Sequence, residues 1–145
     1  MGNELGVKHQ DWERAKVRWS LTYPELYEVG ASNLGHIILY SILNALPNQL
    51  CDRAYLPAKD FTKKLRENSQ PLFAVESRRP LLAFDILGFS LSYELGATNI
   101  LEMLDLAQVP IYAKDRGEIS LNEVNSYPLI FAGGPTATSN PEPYA

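Results

Sequence analysis

Short apolar runs alternate with longer helical ones along this chain, and that alternation constrains the fold more than any other feature. Val17-Arg18-Trp19-Ser20-Leu21-Thr22 alternates apolar and polar residues, as a strand with one buried face does. Tyr23-Pro24 stops it. The spacing predicts a helix over 33–46, capped by Ser32. Its apolar residues, Leu34, Ile37, Ile38, Leu39, Ile42, Leu43 and Leu46, go most of the way around, so it should be largely buried. A second strand over 51–56 and a short amphipathic helix over 59–68 follow, then an extended stretch over 72–75. Asp85-Ile86-Leu87-Gly88-Phe89-Ser90-Leu91 is nearly continuous in apolar residues, the signature of a strand covered on both faces. Ser92 is placed to cap a helix over 93–107. Two more strands are predicted, over 109–112 and 129–132. Ser120-Leu121-Asn122-Glu123, between them, has the form of a capping box.

Strands alternating with helices give a parallel sheet with right-handed crossovers. The predicted architecture is therefore α/β: a flavodoxin-like or Rossmann-like doubly wound sheet of five mainly parallel strands. A length of 145 residues fits one domain over residues 1–145, and 46% hydrophobic residues suffice for its core.

Composition removes several function classes. A formal net charge of -4 provides no field to attract nucleic-acid phosphates. No apolar run approaches the roughly 20 residues that cross a bilayer, and the start lacks a secretory pattern. One cysteine, Cys51, allows no internal disulfide, which suits a cytoplasmic location. It also rules out a cluster held by three or four cysteines of this chain. Cys51 is expected to be a buried small hydrophobe near a strand start.

Ligands of open doubly wound sheets sit beyond the carboxyl ends of the strands. Here that region comprises 23–35, the Ser90-Leu91-Ser92-Tyr93 stretch, and 133–143. A phosphoacceptor site would need acidic residues at those strand ends, and Asp85 opens its strand instead of closing it. A dinucleotide fingerprint needs three closely spaced glycines after the first strand, and only Gly30 and Gly35 are there. Ser20, Thr22 and Ser32 are a thin match to a flavin phosphate loop, although Tyr27 or Tyr93 could stack on a flavin. Gly133-Gly134 would let backbone approach a ligand closely, or simply make a tight turn. Ser90 and Ser92 offer hydroxyls, His36 is the histidine nearest this face, and Arg78-Arg79 reads as a solvated loop.

Three long stretches carry a family resemblance. Tyr23-Pro24-Glu25-Leu26-Tyr27-Glu28-Val29-Gly30-Ala31-Ser32-Asn33-Leu34-Gly35 is the first. Phe84-Asp85-Ile86-Leu87-Gly88-Phe89-Ser90-Leu91-Ser92-Tyr93-Glu94-Leu95 is the second, and Gly133-Gly134-Pro135-Thr136-Ala137-Thr138-Ser139-Asn140-Pro141-Glu142-Pro143 the third. In this order they resemble the motifs of the N-terminal cobalamin-binding-type domain of a bacterial radical SAM protein family.

The resemblance implies an N-terminal fragment whose radical SAM barrel lies beyond 145. S-adenosylmethionine and a four-iron four-sulfur cluster would belong to that barrel. The chain's partner would then be its own downstream domain. Sheet surface left open by a missing final helix would be exposed or covered by a second copy. The resemblance also implies a cofactor site lined by Ser32, Asn33, Gly35, Ser90, Ser92, Tyr93, Gly133, Gly134 and Thr136, with no catalytic residue and no protein metal ligand. Cobalamin-binding domains of the methionine-synthase type carry Asp-x-His-x-x-Gly after the first strand. Ser32-Asn33-Leu34-Gly35-His36 lacks that Asp. Either cobalamin binds without a histidine axial ligand, or the domain has lost the cofactor and only packs on its partner. A flavodoxin-like FMN protein and a cofactor-free interaction domain are the other expectations.

Overall fold

The computed structural model describes residues 6–117 and 127–142. Four strands form one parallel sheet: β1 (Val17–Tyr23), β2 (Gln49–Tyr55), β3 (Ile86–Ser90) and β4 (Leu129–Gly133). Their order is β2-β1-β3-β4, so strand order reverses between β1 and β3. The helices are α1 (Tyr27–Gly30), α2 (Leu34–Ala45), α3 (Lys59–Glu67), α4 (Gly96–Leu106) and α5 (Pro135–Ser139). This is the expected doubly wound α/β type, with four strands among the described residues.

The stretch 109–112 joins no strand. Gln108 takes a positive φ of 59°, and its N–H bonds the Asp105 carbonyl at 3.0 Å. The Val109 N–H turns back to the Leu104 carbonyl at 3.0 Å. These two bonds close α4 in a Schellman motif, and Pro110 has no N–H to offer a ladder. The capping-box stretch 120–123 lies outside the described residues.

Register sets what each face carries. Cys51, Trp19, Ile86 and Leu129 form one row across the sheet, and Arg53, Leu21, Gly88 and Phe131 the next. α2 packs on this face, over β2 and β1. Beneath it lies a small cluster of Leu21, Tyr40 and Cys51. The opposite face carries α3 and α4 over the main core, which includes Leu50, Ala54, Leu65, Leu87, Phe89, Met103 and Leu104.

Two polar devices hold β2 in place. Asn44, buried on α2, donates to the carbonyls of Tyr40 at 3.0 Å and Cys51 at 2.9 Å, and accepts the Cys51 N–H at 3.0 Å. At the sheet edge, Arg53 is 1% exposed and pairs with Glu76 at 2.5 Å. The neighbouring Asp52 carboxylate accepts the backbone N–H groups of Glu76 at 3.0 Å and Ser77 at 2.8 Å. Burial raises the pKa of Asp52, but hydrogen bonds from the side chains of Glu76 and Ser77, and then from their backbone N–H groups, outweigh it and hold the carboxyl below its ordinary value. Burial first, and the Asp52 charge with it, pushes Glu76 up to about 7. Cys51 is fully buried in β2, as expected, and burial pushes its thiol up.

Candidate functional site

Beyond the carboxyl ends of β1, β3 and β4 lies a cleft of about 440 Å³. It sits at the point where strand order reverses, between the start of α2 and the start of α5. Its walls include Asn33, Gly35, His36 and Leu39 from the α2 side, and Phe131 with Pro135 opposite. Gly88 and Gly133 form part of its floor. None of the lining residues carries a formal charge.

Local sequence explains how each wall is built. Asn33 is the cap of α2: its side-chain oxygen accepts the His36 N–H at 3.0 Å. Ser32 instead donates back to the Val29 carbonyl at 2.9 Å, closing α1, a helix the sequence reading did not contain. Asn33 Nδ2 also donates to the Tyr23 hydroxyl at 3.2 Å, and that hydroxyl meets Ser92 Oγ at 3.0 Å. Ser92 therefore ties β3's exit loop to β1 and caps nothing; α4 begins only at Gly96.

His36, in sequence the histidine nearest this face, is buried. It is 1% exposed. Its ring meets Tyr23 edge-on at 5.5 Å and Tyr55 at 5.6 Å. Gly30 makes that clamp possible, because a Cβ there would lie 2.6 Å from the Tyr55 ring and 2.9 Å from Tyr23. His36 Nδ1 lies 3.4 Å from Ser90 Oγ, and Nε2 is buried without a hydrogen-bond partner. Burial, and secondarily the Arg53 charge, pushes its pKa down to about 4. At neutral pH it is an uncharged imidazole. In either tautomer, the Nε2 position is an unmatched donor or acceptor.

The glycine pair divides its work. Gly134 has φ 118° and ψ 177°, a region essentially restricted to glycine. A Cβ there would run into the Leu91 carbonyl. Leu91 N–H in turn donates to the Gly133 carbonyl at 2.7 Å, so the two strand exits are stitched together. Gly133 meets no such obstruction: a Cβ there would have nothing within 4 Å. It faces open cleft.

Six of the expected site residues thus come together: Asn33, Gly35, Ser90, Ser92, Gly133 and Gly134 all line the cleft. Ser32, Tyr93 and Thr136 do not. Ser32 is exposed and turned to α1, Tyr93 hydrogen-bonds Glu25 on the surface, and Thr136 is buried at 3% exposure in α5. The cleft's apolar walls, Leu21, Leu39 and Phe131, were missed. They look like core positions in sequence, and only the register puts them around Gly88.

Among the described residues no three His, Cys, Asp or Glu side chains are grouped to hold an ion. His36 lines the cleft with its ring packed against Tyr23 and Tyr55, and its Nε2 has no protein partner. A cluster ligated by three cysteines does not fit this chain, whose one cysteine is buried in β2. Among the described residues no helix is long and apolar enough to cross a membrane.

Comparison with known proteins gives one family. No curated protein matches the chain, and neither does any solved structure. The family model described as radical SAM proteins, N-terminal, matches residues 35–145, which is more than half of the chain and includes α2 from Gly35 on, β2, β3, β4 and every wall of the cleft except Leu21 and Asn33. The chain belongs to the family of radical SAM protein N-terminal domains.

Proposed function

We propose that this chain is a non-catalytic accessory domain of a radical SAM enzyme. It holds an uncharged, extended ligand group in the strand-end cleft, cobalamin or a molecule of similar shape, without a histidine axial ligand. S-adenosylmethionine and a four-iron four-sulfur cluster, held by a following domain, would supply the radical chemistry. This chain's own residues bind, orient and shield.

The observation that carries the reading is the bare floor. Gly133, where an added Cβ would meet nothing within 4 Å, and Gly88, where one would press on Leu21 at 3.3 Å, leave a gap between Leu39 and Phe131 where a slender group can lie against backbone. Ser90 and Ser92 stand at the mouth with hydroxyls to orient it. The uncharged lining favours a neutral portion of such a ligand in the cleft.

The experiment is a spectrophotometric titration of the intact gene product with hydroxocobalamin, followed by gel filtration. Retention, with a spectrum free of protein-histidine coordination, is the expected result. No spectral change and no retention would remove cobalamin. The cofactor-free interaction domain would then move forward, supported by the exposed aliphatic face of α2.

A further inference from the structure

α2 is built inside out. Its twelve residues contain no acidic or basic side chain, and those it buries are His36, Tyr40 and Asn44, polar or aromatic. Facing outward are Leu34 (69% exposed), Ile38 (48%), Leu39 (47%) and Ile42 (52%), with Leu46 (40%) just past its end. Gly35, Ser41 and Ala45 complete the exposed face. The sequence reading expected a largely buried helix. A surface helix normally shows the reverse pattern, and an uncharged aliphatic face of this kind marks an interface.

The exposed face is nearly the same read in either direction. Leu34, Ile38, Ile42 and Leu46 follow at intervals of four, which makes one continuous ridge. Reversed about Tyr40, Leu34 exchanges with Leu46 and Ile38 with Ile42. The small residues Gly35 and Ala45 also exchange, and they lie on opposite flanks of the ridge, where they let a second backbone come close. Only Leu39 and Ser41 exchange unlike for unlike. A two-fold contact between identical chains demands this property, because residue i must meet j of the other copy while j meets i.

Charge selects the same occupant. The sequence carries a formal net charge of -4, so two copies repel wherever their charged surfaces meet, and α2 offers a face free of that penalty. Its first turn has no acidic residue and its last turn no basic one, so its own side chains leave the helix dipole uncompensated at both ends. An antiparallel copy of α2 sets its partial negative end beside the partial positive end of the first, twice over. We infer that two copies of this protein associate through α2, antiparallel, with Leu34 against the partner's Leu46 and Ile38 against the partner's Ile42. A helix of this length is about 18 Å long and about 10 Å across, less than the contact of about 800 Å² per partner that stable complexes use. The dimer is therefore a reversible one that forms at micromolar concentration.

The test is sedimentation velocity on the intact gene product, from about 1 to about 100 μM. The unsubstituted protein should pass from monomer to dimer across that range, and added salt should not dissociate it, since no ion pair holds the contact. Ile38→Lys and Ile42→Glu, made separately, each put an unpaired charge into the contact and should weaken association at least about tenfold. Both positions are exposed in the single chain, so the fold survives the change, which circular dichroism checks. Mixing the two variants sets the introduced charges opposite each other and should restore dimer. Lys63→Ala, on α3 with a side chain 76% exposed, is the control and should change nothing. A protein that stays monomeric throughout would overturn the inference, its ridge then being covered by some other part or partner. So would a dimer indifferent to both α2 variants. Dissociation by each variant without rescue on mixing would overturn the antiparallel register, and with it the proposal.

Discussion

His36 and Glu76 should pull the pH dependence of stability in opposite directions. His36 titrates at about 4 in the folded chain against an ordinary 6.5, because burial disfavours its cation. A depressed pKa means stability that is full above pH 6.5 and is lost as pH falls towards 4. Glu76 titrates at about 7 against an ordinary 4.5. A raised pKa means stability that is full below pH 4.5 and is lost as pH rises towards 7. Each displacement, at about 1.4 kcal/mol per pKa unit, amounts to about 3 kcal/mol across its window. Between pH 4.5 and 6.5 the two slopes oppose and nearly cancel. Substitution by an uncharged residue exposes the partner's slope. Relative to the unsubstituted chain, His36→Gln should lose about 3 kcal/mol more as pH rises from 4 to 6.5. Glu76→Gln should recover about 3 kcal/mol over pH 4.5 to 7. The difference curves matter, because His9, also held below its ordinary value by burial, contributes equally to both members of each comparison. Urea unfolding followed by tryptophan fluorescence, at half-unit pH steps, measures them. Curves that stay parallel to the unsubstituted chain would refute the burial argument for that residue.

Two neighbouring glycines should respond differently to one methyl group. Gly134→Ala combines a backbone region closed to alanine with a collision at Leu91, and should cost roughly 2–5 kcal/mol in urea unfolding, whereas Gly133→Ala should stay within about 1 kcal/mol. Equal effects would mean that the stitch to Leu91 is not what requires Gly134. Asn44→Ala leaves the Cys51 N–H and carbonyl without their side-chain partner, and should cost about 1–3 kcal/mol. Amide hydrogen exchange at Cys51 should accelerate with it; unchanged protection would show that Asn44 does not hold α2 to β2.

Much of this architecture was legible because strands and helices differ in period. The runs at 17–22, 51–56, 85–91 and 129–132 all became strands, displaced by at most two residues at either end. The run at 109–112 did not, because a helix ending in the left-handed conformation at Gln108 competes locally with any extension, and Val109 spends its N–H there. The cap of α2 was read one residue out: Asn33 and not Ser32 closes it, since both have suitable side chains and only the path of the chain chooses between them. The cleft was legible in its polar and glycine residues. Its apolar walls were not, since Leu39 and Phe131 look like core residues until register shows that nothing described covers them.

By itself the sequence determined the class of fold and the family, and it pointed to the strand ends, where a cleft lies, because these follow from local period, from chain order and from long uninterrupted motifs. Tertiary structure alone decided the inversion of α2, the burial of His36 between two tyrosines, and the division of labour between Gly133 and Gly134. Each depends on which groups meet across the sheet from distant parts of the chain, and periodicity along one segment carries no record of that meeting.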